Sequence, residues 1–230
     1  MRVLITAGGT REDIDAVRGI SNYATGRLGS IIAEQFLQAN DEVSYLCGEN
    51  SAEPETACEI IKIRSVKDLT EKLNSLLNRY EYDCIIHSMA VSDYSVKGYV
   101  PLDTPEEPLN NLEKPADKKI SSKSPYLAVV LEQQPKVIQL FKAIQPKAVL
   151  VGFKLLSNSS EKELIKAAEK LIAQSGCDYV LANDLSNITA DRHGAVLLNS
   201  EAVISRMETK EEIAKIIYKE VKNAKNYSGN

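Results

Sequence analysis

The sequence predicts an α/β chain: a Rossmann-like, mainly parallel sheet with helices on both faces, a small antiparallel hairpin and a long lid-like loop. Three observations carry that reading. Short apolar runs of strand length alternate with amphipathic segments of helical period along most of the chain. The first run closes on Gly8-Gly9, where backbone can come close to a ligand. Between Ser92 and Lys123 periodicity disappears among Pro101, Pro105, Pro108 and Pro115.

The elements follow in order. Residues 2–7 are continuously apolar, the mark of a strand covered on both faces. Residues 28–37 put Leu28, Ile31, Ile32, Phe36 and Leu37 on one helical face. Residues 42–47 and 59–63 read as strands. Residues 66–77 carry Leu69, Leu73, Leu76 and Leu77 at helical spacing, and residues 83–89 form another buried strand. The aperiodic stretch 92–124 is longer than a plain connection, which marks it as an active-site loop able to close. Regular structure resumes at residues 127–131, and Pro135 opens a helix, since proline suits the first helical turn. Residues 148–155 are a strand. Residues 160–174 are a helix capped by Ser159 or Ser160, supported by Glu161 or Glu163 and stopped by Gly176. Residues 178–182 form a strand, 195–199 and 203–207 a closing hairpin, and 209–222 a last amphipathic helix. No internal repeat is visible. Residues 1–230 are expected to form a single nucleotide-binding domain with ligands at the carboxyl ends of its strands.

Composition narrows the function classes. With 43% apolar and 26% charged residues, the chain suits a globular domain rather than a disordered one. Twenty-eight basic against thirty-two acidic side chains leave a net charge of −4, so no bulk attraction to nucleic acid is expected. No apolar stretch approaches the ~20 residues of a membrane span, and the amino terminus lacks a signal-peptide core. Cys47, Cys58, Cys84 and Cys177 form no C-x-x-C pair. That argues for buried free thiols in a reducing cytoplasm, against a zinc ribbon or redox dithiol. His87 reads as a satisfied core residue and His193 as part of an exposed turn at 191–194; their spacing offers no zinc site.

The segment after the first strand carries the candidate chemistry. Gly8, Gly9 and Gly26 let backbone approach a nucleotide phosphate, and the helix start beyond Gly26 offers unpaired N–H groups to it. Thr25 and Arg27 add a hydroxyl and a charge. A dinucleotide fingerprint needs its glycines across one tight turn, whereas a long loop separates them here. Glu49, twenty residues past Gly29, has the spacing of an acidic ribose clamp but reads more simply as a solvated loop residue. The Tyr218-to-Lys222 pair lies in the terminal helix, where an i,i+4 surface contact accounts for it. An NAD(P)-dependent oxidoreductase is therefore the alternative reading, and a non-catalytic nucleotide-binding module a third.

The run Ile5-Thr6-Ala7-Gly8-Gly9-Thr10-Arg11-Glu12, continued by Val17-Arg18 and Ile20-Ser21-Asn22, resembles the opening of phosphopantothenoylcysteine synthetases. These are ligases of coenzyme A synthesis, often fused behind a flavin-dependent decarboxylase. Asp13 and Ala16 stand where that family has prolines, and Ala24-Thr25 where it has two serines. Ala90-Val91-Ser92-Asp93-Tyr94 is similar to its A-V-A-D-Y segment, and Lys119-Ile120 falls at its lysine-rich stretch. Pro135-Lys136-Val137-Ile138, Val151-Gly152-Phe153 and Ala182-Asn183-Asp184 resemble later segments. The resemblance spans the chain and, with no decarboxylase half, implies a stand-alone synthetase without flavin.

It implies a reaction in two steps. 4′-Phosphopantothenate and a nucleoside triphosphate, CTP or less often ATP, give an acyl-nucleotide and pyrophosphate. The amine of L-cysteine then displaces the nucleoside monophosphate. Mg2+ is the implied metal and a homodimer the implied assembly. Bringing a carboxylate against an anionic α-phosphate calls for positive charge near the reacting atoms. The resemblance gives that role to Lys119, with Lys118 as competitor, and gives Asn22 the activated acyl group. Arg18 and Asn183 are the further substrate residues. The nucleotide would contact the backbone of His87, Ser88 and Met89 at a strand end, Asp93 (also a magnesium contact), the free N–H groups of the helix start at Pro135, Lys136, Val137 and Ile138, Phe153 and Lys170. Ser121, Ser122 and Ser175 stand at or near lysines of the family, which leaves the choice between CTP and ATP open.

Overall fold

The computed structural model describes residues 1–189 and 191–228, with side chains to residue 226; residues 190, 229 and 230 of the expected domain lie outside the described residues. β1 (Arg2–Gly9) leads into a hairpin of β2 (Arg11–Asp13) and β3 (Gly19–Ser21), then α1 (Arg27–Leu37), β4 (Glu42–Gly48) and β5 (Glu59–Ile63). Next come α2 (Val66–Arg79), β6 (Cys84–Ala90), β7 (Tyr94–Leu102), β8 (Tyr126–Gln133) and α3 (Ile138–Ile144). The chain continues through β9 (Val149–Leu156), α4 (Glu161–Ser175), β10 (Tyr179–Ile188), β11 (His193–Leu198), β12 (Val203–Met207) and α5 (Lys210–Ser228).

The alternation along β1 decides the architecture. Leu4 points to one face, Val3, Ile5 and Ala7 to the other, and all four are buried. A strand apolar on both sides is stable only inside a sheet covered twice. One face carries α2, α3 and α4 on Leu4, Leu46, Ile85 and Leu150. The other carries α1 and α5 on Val3, Ile5, Ile86 and Leu181. A Cβ on Gly29 of α1 would stand 2.5 Å from the Cβ of Ala7, so glycine lets that helix lie against β1.

The eight-stranded sheet has the order β12-β11-β10-β9-β6-β1-β4-β5. β5, β4, β1, β6, β9 and β10 are parallel, and β11 and β12 antiparallel. Along the chain the parallel strands follow the 3-2-1-4-5-6 order of doubly wound nucleotide folds, which reverses between β1 and β6. α4 forms with Ser160 as its cap and Glu163 as the reciprocal partner, and it ends on Gly176 at φ +67°. All four cysteines are free thiols, three of them buried, and burial pushes Cys177 up to about 11.

Three expectations are corrected. The stretch 92–124 is not one long loop: β7 occupies residues 94–102 and pairs antiparallel with β8 as a separate two-stranded arm. Proline at 101 is tolerated because its nitrogen faces the edge of β7 away from β8, beyond the bridge of Tyr99 to Glu113. Residues 11–21, read as plain loop, hold the β2–β3 hairpin. Pro135 precedes α3 by three residues, and tight i→i+3 bonds from Gln139 to Lys136 and Leu140 to Val137 start that short helix.

Asp184 ties two of these elements together. Buried in β10, it accepts from the backbone N–H of Asn158 (3.1 Å), Ser159 (2.8 Å) and Ser186 (2.8 Å), and from the Ser186 hydroxyl. The hydroxyl first, then those amides, lower its pKa from 3.8 to about 2. The folded state therefore favours the carboxylate, a contribution complete above the unfolded value and lost as pH falls through the folded one. In urea unfolding, the stability gap between the native chain and Asp184→Asn should be level from about pH 7 to 5 and shrink between about pH 4 and 2. A gap that widens in acid would contradict this assignment.

Candidate functional site at the reversal of the sheet

The β1/β6 reversal is closed by a cluster of short contacts. Gly9 pairs with Ala90, and the Thr10 N–H donates to the Ala90 carbonyl at 3.2 Å. The Thr10 hydroxyl donates to Ser92 Oγ (3.0 Å) and accepts from the Ser92 N–H (2.9 Å). Asn22, just past β3, turns its Nδ2 onto the same Ala90 carbonyl at 3.4 Å. Its side chain does not cap α1, whose cap is Gly26.

Thr10, Arg11 and Glu12 point three ways from one short run. Glu12 is buried and accepts from the Val66 N–H at 2.9 Å, at the first turn of α2, and burial raises its pKa. The Arg11 N–H donates to the Arg64 carbonyl at 2.7 Å. Its guanidinium shares Asp13 with Arg64: Arg11 Nε to Oδ1 is 3.0 Å, Arg64 Nε to Oδ2 2.5 Å and Arg64 Nη2 to Oδ1 3.0 Å. Arg64 Nη1 also reaches Glu49 Oε2 at 2.7 Å, and these bonds raise the Arg64 pKa.

A cavity of about 160 Å³ opens beside these groups at the carboxyl ends of β1, β4 and β5. Gly9, Arg11 and Asn22 line one side, Glu49, Ser51 and Arg64 the other. Sequence reasoning missed Arg64 and Ser51 and passed over Glu49. The available signal was position, since Glu49 and Arg64 are the first residues after β4 and β5.

Gly8 and Gly26 have φ of +77° and +75°, and the β4–β5 connection packs closely against both. A Cβ on Gly8 would collide with Ser51 Oγ, and one on Gly26 would stand 3.0 Å from Ser51 Cβ. The Ala52 N–H donates to the Thr25 carbonyl at 2.9 Å, so the β4–β5 connection sits in that turn. Of Gly8, Gly9, Thr25 and Gly26, Gly9 alone lines the cavity.

The sequence matches the model of the DNA/pantothenate metabolism flavoprotein C-terminal domain over residues 1–103 and 110–224, the break falling in the β7–β8 connection. The chain belongs to that family. The coenzyme A biosynthesis bifunctional protein CoaBC of Thermococcus kodakarensis is 36% identical over 96% of this chain, and that of Methanocaldococcus jannaschii 30% over 96%. The chain spans about half the length of these curated relatives (50% of each). The crystal structure of the DNA/pantothenate metabolism flavoprotein from Streptococcus pneumoniae superposes with a TM-score of 0.86 at 34% identity, covering 97% of this chain and 99% of that one.

Within this family fold the other candidates separate into groups. Asp93 and Lys136 meet as an exposed ion pair at 2.5 Å beyond β6. Ser88 is half-buried near the end of β6, and Pro135 is exposed. His87 is turned into the core: its Nδ1 lies 2.7 Å from Thr6 Oγ1, its ring 5.0 Å from Phe141, and burial lowers its pKa to about 4. Met89 and Val137 are buried, and Ile138 packs with them on the α2–α4 face, so their side chains serve the core. Phe153 is half-buried against the α1–α5 face. Lys170 is exposed nine residues into α4, about 13 Å along the helix from its start.

Asn183 is buried and its Nδ2 lies 3.0 Å from His193 Nε2. His193 is thus a buried residue of β11, not an exposed turn residue, and burial lowers its pKa to about 4. The turn expected at 191–194 is displaced because β10 pairs Ile188 with His193 across an irregularity that follows Asn183.

Arg18 works on the chain itself. Its Nε and Nη2 hold the buried Asp15, and Nη2 also donates to the Ile120 carbonyl at 3.1 Å. Asp15 accepts the Ile120 N–H at 3.0 Å and the Val17 and Arg18 N–H groups, and the Arg18 bond foremost holds its carboxyl well below the usual range. Ile120 is thereby anchored and buried while Lys118 and Lys119 beside it stay exposed. Among the described residues no cluster of three metal-ligating side chains occurs, and none of the helices there is long and apolar enough to cross a membrane. Replacing Asp15 by asparagine keeps the shape but removes the charge that holds Arg18. Limited proteolysis under native conditions should then nick the chain between residues 103 and 125 several-fold faster than in the unaltered protein. An unchanged rate would mean that the apolar burial of Ile120 suffices.

Proposed function

We propose that this chain is a phosphopantothenate–cysteine ligase of coenzyme A synthesis, using CTP in preference to ATP. The observation that carries the reading is Asn22, inside the motif that opens the family's pattern, bonded to Ala90 of β6 at the sheet reversal and lining a cavity on the β4 side of β1. The names of the relatives, coenzyme A biosynthesis bifunctional proteins, support it. An NAD(P)-dependent oxidoreductase is disfavoured. The β2–β3 hairpin separates Gly8-Gly9 from Gly26, Tyr218 packs edge-on against Phe36 at 5.1 Å, and Lys222 pairs with Asp41 at 3.3 Å.

In the first step a carboxylate oxygen of 4′-phosphopantothenate attacks the α-phosphorus, the bond to the β-phosphate breaks and pyrophosphate leaves. Repulsion between the two anions is the main barrier, and Lys119 or its neighbour Lys118, next to the anchored Ile120, offsets it. In the second step the amine of L-cysteine attacks the acyl carbon, the carbon–oxygen bond to phosphate breaks and the nucleoside monophosphate leaves. The ammonium proton passes to solvent. Asn22 is a neutral amide that can orient the acyl carbonyl without adding charge. Ser88, Asp93, Lys136 and Phe153, near the ends of β6 and β9, are the nucleotide side of this reading, with Arg18 positioning the Lys119 segment and Asn183 near the substrate.

Asp93 pairs through Oδ1 with Lys136 and keeps Oδ2 for magnesium, which binds through one or two protein carboxylates and the substrate's phosphates. Asp93 would hold it there, and the ion would supply charge neutralisation on the phosphates. The assembly proposed is a homodimer, supported by exposed Tyr94, Tyr126 and Leu131 on the β7–β8 arm. The location proposed is the cytoplasm, supported by four free thiols.

The deciding measurement is pyrophosphate release with 4′-phosphopantothenate, comparing CTP with ATP, with and without cysteine. Asn22→Asp should lose cysteine-dependent product while still releasing pyrophosphate in the first turnover. Lys119→Gln should slow pyrophosphate release itself. Normal steady-state rates in Asn22→Asp, or a pre-steady-state burst of normal size in Lys119→Gln, would refute the respective role.

A further inference from the structure

We infer that the cavity beside Asn22 is a subsite for an α-amino acid zwitterion, binding the amino-acid carboxylate on Arg11 and its ammonium on Glu49. This rests on the ligase reading above and names where the second substrate sits.

The charges in the cavity are of both signs and only partly spent. Arg64 is fully engaged, with three nitrogens on Asp13 and Glu49. It acts as a spacer that fixes both carboxylates. Arg11 gives only Nε to Asp13. Its two terminal nitrogens have no protein partner among the described residues, and they form the edge of a guanidinium that matches a carboxylate with two parallel bonds. Glu49 gives only Oε2 to Arg64, leaving Oε1 for a cation. A bidentate donor and a single anionic acceptor in one small space is the complement of an amino acid.

The other substrates fit worse. A triphosphate would face the Glu49 carboxylate, and both arginines already share their charge with carboxylates; like charges this close repel strongly. No lysine lines the cavity. Size argues the same way. About 160 Å³ lies well below the ~300 Å³ at which pockets begin to hold drug-sized ligands. 4′-Phosphopantothenate is an extended chain ending in a phosphate and would reach well outside this half-open cavity, whereas an amino acid fits within its volume.

Position completes the case. Asn22 is shared, since its amide reaches Ala90 at the end of β6 and its side chain lines the cavity on the β4 side. Asp93 and Lys136 lie beyond β6. An amine held at Glu49 can therefore approach an acyl group at Asn22 from the β4 side without crossing the nucleotide.

The test uses the intact chain with Glu49→Gln and Arg11→Gln. The Glu49–Arg64 pair is substantially exposed, so its loss should hardly move the melting curve. Each variant should raise the KM for L-cysteine by about tenfold or more, the loss of one charged contact, while the KM values for 4′-phosphopantothenate and CTP stay unchanged. Cysteamine, which lacks the carboxylate, should be insensitive to Arg11→Gln. A KM for cysteine within about twofold of the unaltered value in both variants, or a rise for nucleotide or 4′-phosphopantothenate instead, would overturn the subsite. If the native chain releases no pyrophosphate with either nucleotide, the ligase reading fails by itself. Saturation-transfer NMR with L-cysteine alone then decides the subsite: transfer that Glu49→Gln abolishes supports it, and no transfer to the native chain refutes it.

Discussion

One side chain, Ser51, sets the shape of the sheet edge on the β1–β4 side. It lies in the space that a Cβ on Gly8 would need and against Gly26, and a Cβ on Gly48 would come within 2.9 Å of its Oγ. Gly8 and Gly26 have left-handed backbone that side chains rarely adopt, so the contact and the conformation both demand glycine. The hydroxyl of the buried Tyr45 adds a bond to the Ala52 carbonyl at 2.9 Å. With Ser51 and Ala52 fixed, the two residues before them, Glu49 and Asn50, are held at the cavity wall. The glycine-rich turn after β1 and the β4–β5 connection are thereby packed against each other.

The β2–β3 hairpin is held just as firmly, by three attachments to different parts of the molecule. Thr10 ties its base to β6, Glu12 reaches the first turn of α2, and Asp15 at its turn holds Ile120. The backbone of Ala116 adds a bond to the Ile14 carbonyl at 3.2 Å. Asn22 follows this hairpin, exposed, with its amide on the Ala90 carbonyl at 3.4 Å. The β7–β8 connection meets the same hairpin, so the lysines of one segment and the amide of the other share a support. Arg18 joins them through Asp15 and the Ile120 carbonyl.

Much of the framework was legible because period and punctuation agree. The strands β1, β4 and β5, the helix α2 and the box of Ser160, Glu163 and Gly176 around α4 all follow from apolar spacing and end signals. The β7–β8 arm was hidden because four prolines and many charges obscure the alternation of Val96, Gly98, Val100 and Leu102, and because its partner strand lies more than twenty residues away. His193 was misread for a related reason: a polar Asp-Arg-His-Gly run reads as a turn, and burial against Asn183 is a tertiary event. In the site, Asn22 was legible from the long opening motif. Arg64 and Glu49 were not, since they are fifteen residues apart and only the pairing of β4 with β5 brings them together.

That pairing also decides which cations around the sheet edge are available to a highly charged substrate. Arg11, Arg64 and Lys136 each sit within 3.0 Å of a carboxylate, so their charge is largely balanced before any ligand arrives, and what they supply is direction. Lys118 and Lys119 have no ion-pair partner among the described residues and remain exposed beside a buried isoleucine. An exposed, unbalanced charge is strongly screened in water and gains strength only when a ligand and its loop exclude solvent. On the ligase reading this separates two tasks along one edge. The paired cations orient a small dipolar substrate and the nucleotide, and the unpaired lysines wait on a segment whose far end is already tied down. A net charge of −4 is no obstacle to such a site, because the field that matters is set within a few ångströms by which carboxylates are already spoken for.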